Sequence, residues 1–269
     1  MIVDGRAIAS DILARVRASM NGRTPVVRAV VVAPSPATES YLRVKAARAK
    51  DAGMTLEIAR LPDGSSTDEV VRAVEAEGCD ALIVQLPLPA HIDSGPVLDA
   101  VPLGKDADVL SRAAYARFLE GAEGALLPPV VCAVAEILSR SGIALEGKRA
   151  VVVGQGKLVG MPVAAWMERM GAEVAAVTRE AGDLSALKDA DIVVSGAGSP
   201  GLIRPEHLSP GAVLIDAGTS ESGGAIVGDA DPACAEVAGV FTPVPGGVGP
   251  VAVACLFSNV ARLLGRFDS

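Results

Sequence analysis

Aromatic residues are scarce in this chain: Trp 1, Tyr 2 and Phe 4 make up 3% of 269 residues. Base stacking on aromatic platforms has almost no material to work with. Positive charge is short as well. Lys+Arg 24 stand against Asp+Glu 32, a formal net charge of -8, whereas a surface that tracks nucleic-acid phosphates must be basic. The histidines, His91 and His207, stand alone in loop-like sequence. Cys79, Cys132, Cys234 and Cys255 are far apart, without CxxC or Cys/His spacing. They read as buried free thiols of a reducing compartment, and no metal site is expected. There is no Ser/His/Asp set and no thiol–histidine motif. No apolar run approaches the roughly 20 residues of a membrane span. The opening MIVDGRAIASDILARVR places charges inside the only stretch that could serve as a signal's apolar core. These absences point to a cytoplasmic protein with neither membrane nor nucleic acid as partner.

What is present is apolar and rich in turns: 50% hydrophobic residues, with Gly 29 and Pro 18. Short Val/Ile/Leu/Ala runs fall at 26–33, 54–61, 81–86, 149–154, 173–178, 191–196, 212–217 and 239–244. Continuous apolar runs of this length suit parallel strands covered on both faces. Helical patterns alternate with them at 6–20, 38–52, 67–77, 127–141, 160–170, 184–189 and 250–265. Strand–helix alternation predicts a doubly wound α/β fold. A stretch near 104–126 is less apolar and lacks a clear strand, which predicts two domains. The expected division is 1–123 for a first α/β domain and 124–249 for a Rossmann-type domain. A last helix, about 250–269, would return to the first and close a ligand cleft.

The strongest local motif is RAVVVGQGKLVGMP. A strand runs into Gly154-Gln155-Gly156, and Gly160 opens a helix. Glycines let the backbone turn sharply and approach a pyrophosphate, while a helix start supplies N–H donors. The spacing is G-x-G-x-x-x-G, one residue longer than the common fingerprint. NAD binders place a carboxylate at the end of the next strand. This chain has Thr178-Arg179 there, which suits a 2′-phosphate and favours NADP, with NAD possible. In SPATESYLRVKAARAKDAGM, Tyr41 and Lys45 are four apart and share a helical face, with Thr38 and Ser40 near its start. A lysine set against apolar walls is suited to general acid–base work. Gln85 ends an apolar strand before Pro87 and Pro89, and a buried amide needs partners. Lys105, Asp106 and Asp108 form a charged turn, and TPVPGGVGPVA makes a shaped loop able to lie flat against a planar ligand.

Together these segments resemble the bifunctional methylenetetrahydrofolate dehydrogenase/cyclohydrolase family. The resemblance covers nearly the whole chain: VDGRAIASDI, SYLRVKAARAKDAGM, LIVQLPLP, KDAD, GKRAVVVGQGKLVGMP, ADIVVSGAGSPG, GAVLIDAGT, VGDAD and TPVPGGVGPVAVACL, in order. It implies a homodimer of two-domain α/β subunits that oxidises 5,10-methylenetetrahydrofolate with NADP and hydrolyses the product to 10-formyltetrahydrofolate. Carried over by position, Lys45, Tyr41 and Gln85 fall on the catalytic positions, and Asp108 on the acid that holds the pterin. Gly246, Gly247 and Pro250 fall in the folate loop. Gly154, Gln155, Gly156 and Thr219 fall on cofactor positions.

The chain also departs from the family. Where the family usually has Gly-Arg-Ser in the dinucleotide turn, Gln155 and Gly156 stand, and Thr178-Arg179 replaces His-Ser. Pro128-Pro129-Val130-Val131 replaces Pro-Cys-Thr-Pro, and Val109 replaces the glycine after the pterin acid. Arg179 is expected to replace the lost cation, and Val109 to alter the backbone beside Asp108. Two alternatives stay open: a member with one activity or NAD dependence, and a non-catalytic folate- or nucleotide-binding protein.

Overall fold

The structure is a computed structural model, which describes residues 1–178, 183–222 and 225–267. It is a two-domain α/β protein. The chain divides into two compact units, Ser10–Pro129 with Val253–Ser269, and Met1–Ala9 with Val130–Ala252.

The first unit is built on a parallel sheet of order β2-β1-β3, with β1 Val26–Val32, β2 Thr55–Leu61 and β3 Ala81–Val84. β1 and β3 bury nearly every side chain, as expected of β-branched and aliphatic runs at a sheet centre. Helix α1 Gly5–Ser19 leads into this unit, and α2 Pro36–Asp51 packs on β2. Ser35 caps α2: its hydroxyl accepts the Thr38 N–H, and Pro36 occupies the first turn, where its missing N–H costs nothing. The helix therefore starts before Thr38 and Ser40. α3 Thr67–Glu75 opens with a reciprocal Ser66/Glu69 capping box and packs with α4 Ser94–Asp99 over β1. Val30, Val70, Leu82 and Val97 form the core there. Each fully buried side chain of this kind contributes about 1.5–3 kcal/mol. The 104–126 stretch contains a helix, α5 Arg112–Glu120, capped by Ser111 and ended by Gly121 in the left-handed region at φ 63.

The second unit carries a five-stranded sheet, all pairs parallel, of order β10-β7-β6-β4-β5. Its strands are β4 Arg149–Val153, β5 Glu173–Val177, β6 Ile192–Ser195, β7 Val213–Asp216 and, after the β8 Ser220–Ser222/β9 Ala225–Val227 hairpin, β10 Val240–Phe241. α6 Pro129–Arg140 enters the unit and α7 Gly160–Arg169 packs on β4 and β5. Val153, Val193, Leu214 and Leu187 lie at its core. The pattern at 184–189 forms a 3-10 turn, Ser185–Asp189.

The observed division differs from 1–123 at its start. Met1–Ala9 belongs to the five-stranded unit. The Val3 N–H donates to Phe241 O at 2.9 Å, and the Phe241 N–H donates to Met1 O at 2.9 Å. The exposed edge of β10 thus gains a bridging partner in Ile2. The last helix, α8 Val248–Leu263, starts in the same unit and continues into the other from Val253. There Asn259, fully buried, donates through Nδ2 to Ala107 O and Leu127 O, both at 2.9 Å.

Candidate functional site

In the three-stranded unit, α2 and β3 bring one cation and one amide together. The Gln85 N–H donates to Val30 O at 2.9 Å, so Gln85 stands one residue beyond β3, held in register. Its Nε2 donates to Leu86 O at 2.7 Å, leaving Oε1 to accept from Lys45 Nζ at 2.9 Å. The amide cannot turn over without losing both bonds, so the acceptor is fixed toward the ammonium. Tyr41 lies one turn before Lys45 on α2 and is 39% exposed.

The KDAD turn separates two acids by role. Asp106 is buried and accepts the Leu110 and Ser111 N–H groups at 3.2 and 2.8 Å, which fixes the start of α5. Asp108 is half-buried, and no hydrogen bond reaches its carboxylate among the described residues. Burial raises its pKa, the Lys45 charge pulls it back and Asp106 raises it further, so Lys45 and Asp108 feel each other directly. Val109 has φ 59, so a β-branched residue holds the left-handed conformation that glycine adopts freely. Its buried side chain lines a cavity of about 160 Å³ with Leu103, Ala114 and Leu126.

In the five-stranded unit, the turn after β4 divides its glycines by purpose. Gly154 has φ +93, and a Cβ there would meet Gly196 O at 2.7 Å. A Cβ on Gly160 would stand 1.9 Å from Gly154 O, so the start of α7 packs directly on the turn. Beside Gly156 there is nothing within 4 Å, so the middle glycine faces open space. Tight turn, close helix packing and open approach are the three roles a pyrophosphate-binding turn needs. No side chain caps α7, so its first N–H groups are not taken by one. Gln155 is exposed and turns its Nε2 back to Gly154 O at 2.9 Å. Lys157, exposed in the same turn and missed in the sequence, has no ion-pair partner among the described residues. Thr178 is exposed at the end of β5, and Arg179 lies outside the described residues.

The loops after β6 and β7 are held by two buried acids that the sequence reading passed over. Asp229 accepts from Ser195 Oγ at 2.7 Å, Ala197 N at 2.7 Å and Ser199 N at 2.6 Å. Asp216 accepts from Gly218, Asp229 and Ala230 N–H groups at 2.9, 3.2 and 2.8 Å. Burial pushes Asp216 up to about 6, against the pull of those three donors, and the Asp229 charge adds to the rise. Thr219 follows at the surface. In the proline–glycine loop, Gly246 has φ +113, the Gly247 N–H donates to Pro243 O at 2.7 Å, and Pro250 sits half-buried in the first turn of α8. Lys45, Gln85 and Asp108 are thus gathered in one unit, while Gly154–Gly156, Thr178, Thr219, Gly246, Gly247 and Pro250 belong to the other.

Comparison with known proteins matches two family domains, one on each side of the 109–127 stretch. Residues 3–108 match the catalytic-domain model of tetrahydrofolate dehydrogenase/cyclohydrolase, and residues 128–267 match its NAD(P)-binding-domain model. The Bifunctional protein FolD of Halothermothrix orenii is 36% identical, over 97% of this chain and 96% of that protein. The bifunctional FolD dehydrogenase/cyclohydrolase of Campylobacter jejuni superposes with TM-score 0.94 at 28% identity, covering 99% of both chains. The FolD of Trypanosoma brucei, solved with NADP cofactor and an inhibitor, gives 0.90 at 33% identity, covering 99% and 97%.

Proposed function

The chain belongs to the tetrahydrofolate dehydrogenase/cyclohydrolase family, and from that premise we propose that it carries out both reactions with NADP. It oxidises 5,10-methylenetetrahydrofolate to the 5,10-methenyl form, then hydrolyses that to 10-formyltetrahydrofolate. The observation that carries the reading is the Lys45–Gln85 pair beside an uncommitted Asp108. A protein that only bound folate would not need an ammonium aimed by a fixed amide.

When bound, NADP supplies the acceptor for the hydride that leaves the methylene carbon. The Gly154–Gly160 turn fits this group, because it is closed by backbone at both ends and open at Gly156. Its residues bind and orient, and this step asks little acid–base work of the protein, since the folate nitrogens stabilise the cation. In the second step, water adds to the methenyl carbon and the carbon–N5 bond opens. Both protons must leave the added water, one to arrive at N5 as the bond opens and the other to be released to solvent. Lys45 is assigned to this transfer, Gln85 to holding its Nζ, and Tyr41 to packing the folate. Asp108, with lone pairs spent on no backbone N–H, is assigned to the N–H groups of the pterin edge. Gly246, Gly247 and Pro250 are assigned to the folate loop. Thr178, Thr219 and Gln155 are assigned to the dinucleotide, with Lys157 and Arg179 as the cations nearest it in sequence. Four cysteines that form no disulfide among the described residues agree with a cytoplasmic setting, and the assembly proposed is a homodimer.

The test is purified protein with 5,10-methylenetetrahydrofolate and either dinucleotide. Absorbance would report methenyl formation and its decay. NADP reduction followed by decay is expected. Reduction without decay leaves a dehydrogenase alone, and turnover with neither dinucleotide overturns the enzymatic reading.

A further inference from the structure

Asp216 and Asp229 are 1% and 0% exposed, and no lysine, arginine or histidine pairs with either among the described residues. Two carboxylates buried without a cation are costly unless they organise something. Their partners show what that is. Asp229 holds Ala197 N and Ser199 N, the loop after β6, and Ser195 Oγ at the strand's end. That loop abuts the dinucleotide turn at two points. A Cβ on Gly154 would meet Gly196 O at 2.7 Å and Ala197 Cα at 2.9 Å, and a Cβ on Gly196 would meet Val159 Cγ1 at 2.4 Å. Asp216 in turn fixes Asp229 through its N–H and the loop after β7 through Gly218 N. The Asp216 N–H also donates to Thr242 Oγ1 at 2.7 Å, where the proline–glycine loop begins. The seats are cut to the carboxylates: a Cβ on Gly228 would lie 2.1 Å from Asp216 Oδ2, and one on Gly218 would lie 2.6 Å from Asp229 Oδ1.

Building on the dinucleotide reading above, we propose that Asp216 and Asp229 are positioning residues for the redox step. They lock the 196–199 and 217–219 loops, and through them the Gly154 turn, into the shape the dinucleotide meets. Neither carboxylate touches the ligand. Asp229 acts by taking two backbone N–H groups and a hydroxyl from the 195–199 segment, and Asp216 by taking N–H groups from Gly218 and from the 229–230 segment, so loss of one acceptor loosens the shared edge.

The titratable neighbours of Asp216 are Asp229, whose charge raises it, and Cys234, whose thiol burial pushes up to about 11 with help from Asp231, Glu206 and Asp216. None supplies a compensating positive charge. Protonation below about 6 turns one Asp216 acceptor into a donor facing an N–H. Dinucleotide affinity should therefore fall as pH drops through that value.

The experiment is a fluorescence titration with NADPH from pH 5 to 8, on wild type, Asp216→Asn and Ser195→Ala, alongside KM for NADP and the hydrolysis rate of added methenyltetrahydrofolate. Wild type should show an inflection in Kd near pH 6. Asp216→Asn should weaken NADPH binding and raise KM by about tenfold, erase the inflection, and affect hydrolysis far less than binding. Ser195→Ala, which removes one donor and leaves the carboxylates, should weaken binding by only about threefold, and it keeps the proposal testable if the asparagine variant does not fold. Unchanged Kd in both variants, no inflection in wild type, or parallel loss of binding and hydrolysis overturns the positioning role. Wild type that binds no dinucleotide overturns the functional reading itself, and the proposal with it.

Discussion

Asp108 and Asp216 are both carboxyls raised by burial, one in each unit, and they are kept in opposite ways. Asp216 spends its oxygens on three backbone N–H groups and has no cation beside it. Asp108 spends none on the backbone and lies within reach of the Lys45 charge. A desolvated acid with its lone pairs committed can only hold a shape. One with its lone pairs free is placed to meet a ligand. In the function proposed, the three-stranded unit carries its chemistry on side chains, and the five-stranded unit carries it on backbone held by side chains.

The stability consequence of Asp216 has a definite sign. Its folded value, about 6, lies above the ordinary 3.8. The stabilisation is therefore fully present below the ordinary value and is lost as pH rises through about 6. At about 1.4 kcal/mol per pH unit, keeping the acid ionised above that range costs on the order of 3 kcal/mol. Dinucleotide affinity should move the other way, so the fold gives up stability at neutral pH for a locked edge.

The comparison breaks most sharply at Lys45. Lys45→Met removes the cation and leaves Asp108 facing only Asp106, the like charge that raises it further. Loss of a positioned proton carrier should lower methenyl hydrolysis by about 100-fold or more. Hydride transfer, measured as NADP reduction, should survive within about tenfold, because that step rests on orientation. Equal loss of both would mean that Lys45 serves substrate binding and not proton transfer.

On the other side, Gly228→Ala attacks the seat of Asp216. A Cβ there meets Asp216 Oδ2 at 2.1 Å and Val244 Cβ at 2.9 Å, so the carboxylate or the loop must move. Overpacking of this kind should cost about 2–3 kcal/mol in urea unfolding. Gly156→Ser, with nothing within 4 Å, should change stability little. Equal stability of the two variants would show that the carboxylate's seat yields freely.

How far all this could be read from sequence follows from the same contrast. The apolar runs, the Tyr41–Lys45 spacing and the glycine turn are local signals, and the structure places strands, a shared helix and a tight turn on them. Asp216 and Asp229 were not legible. An acid ending an apolar strand reads as the solvent edge, and their partners are N–H groups from segments far along the chain. Helix α5 escaped because it buries only Ala114 and Phe118, too little for an apolar stripe. The cap at Ser35 escaped because Pro36 reads as a breaker, although proline is at home in a first turn. Asp106 and Asp108 are indistinguishable in KDAD until the backbone shows which carboxylate is already occupied.

A smaller effect concerns where the five-stranded unit keeps its positive charge, since none lies beside its buried acids. Lys157→Ala and Arg179→Ala should each lower the kcat/KM ratio of NADP to NAD by about threefold to tenfold, the range of a partly exposed phosphate contact. An unchanged ratio in both would mean that the preference is set by groups other than these cations.

The finest test lies beside Asp108. Val109 holds φ at 59 while its side chain is buried, so strain and burial oppose each other in one residue. Left-handed backbone costs an ordinary residue about 1–2 kcal/mol, and most where the side chain is β-branched. Val109→Ala keeps most of that strain, loses two buried methyl groups and enlarges the cavity its side chain lines. Val109→Gly loses slightly more apolar surface, about 0.8 kcal/mol for one carbon, and releases the strain altogether. In most of a fold glycine is less stable than alanine by about 0.5–1 kcal/mol. Here the order should level or reverse, with urea midpoints placing Val109→Gly at or above Val109→Ala and both about 1–2 kcal/mol below wild type. A glycine variant clearly weaker than the alanine one would mean that the turn after Asp108 is not under strain. Valine would then be held there by its packing alone.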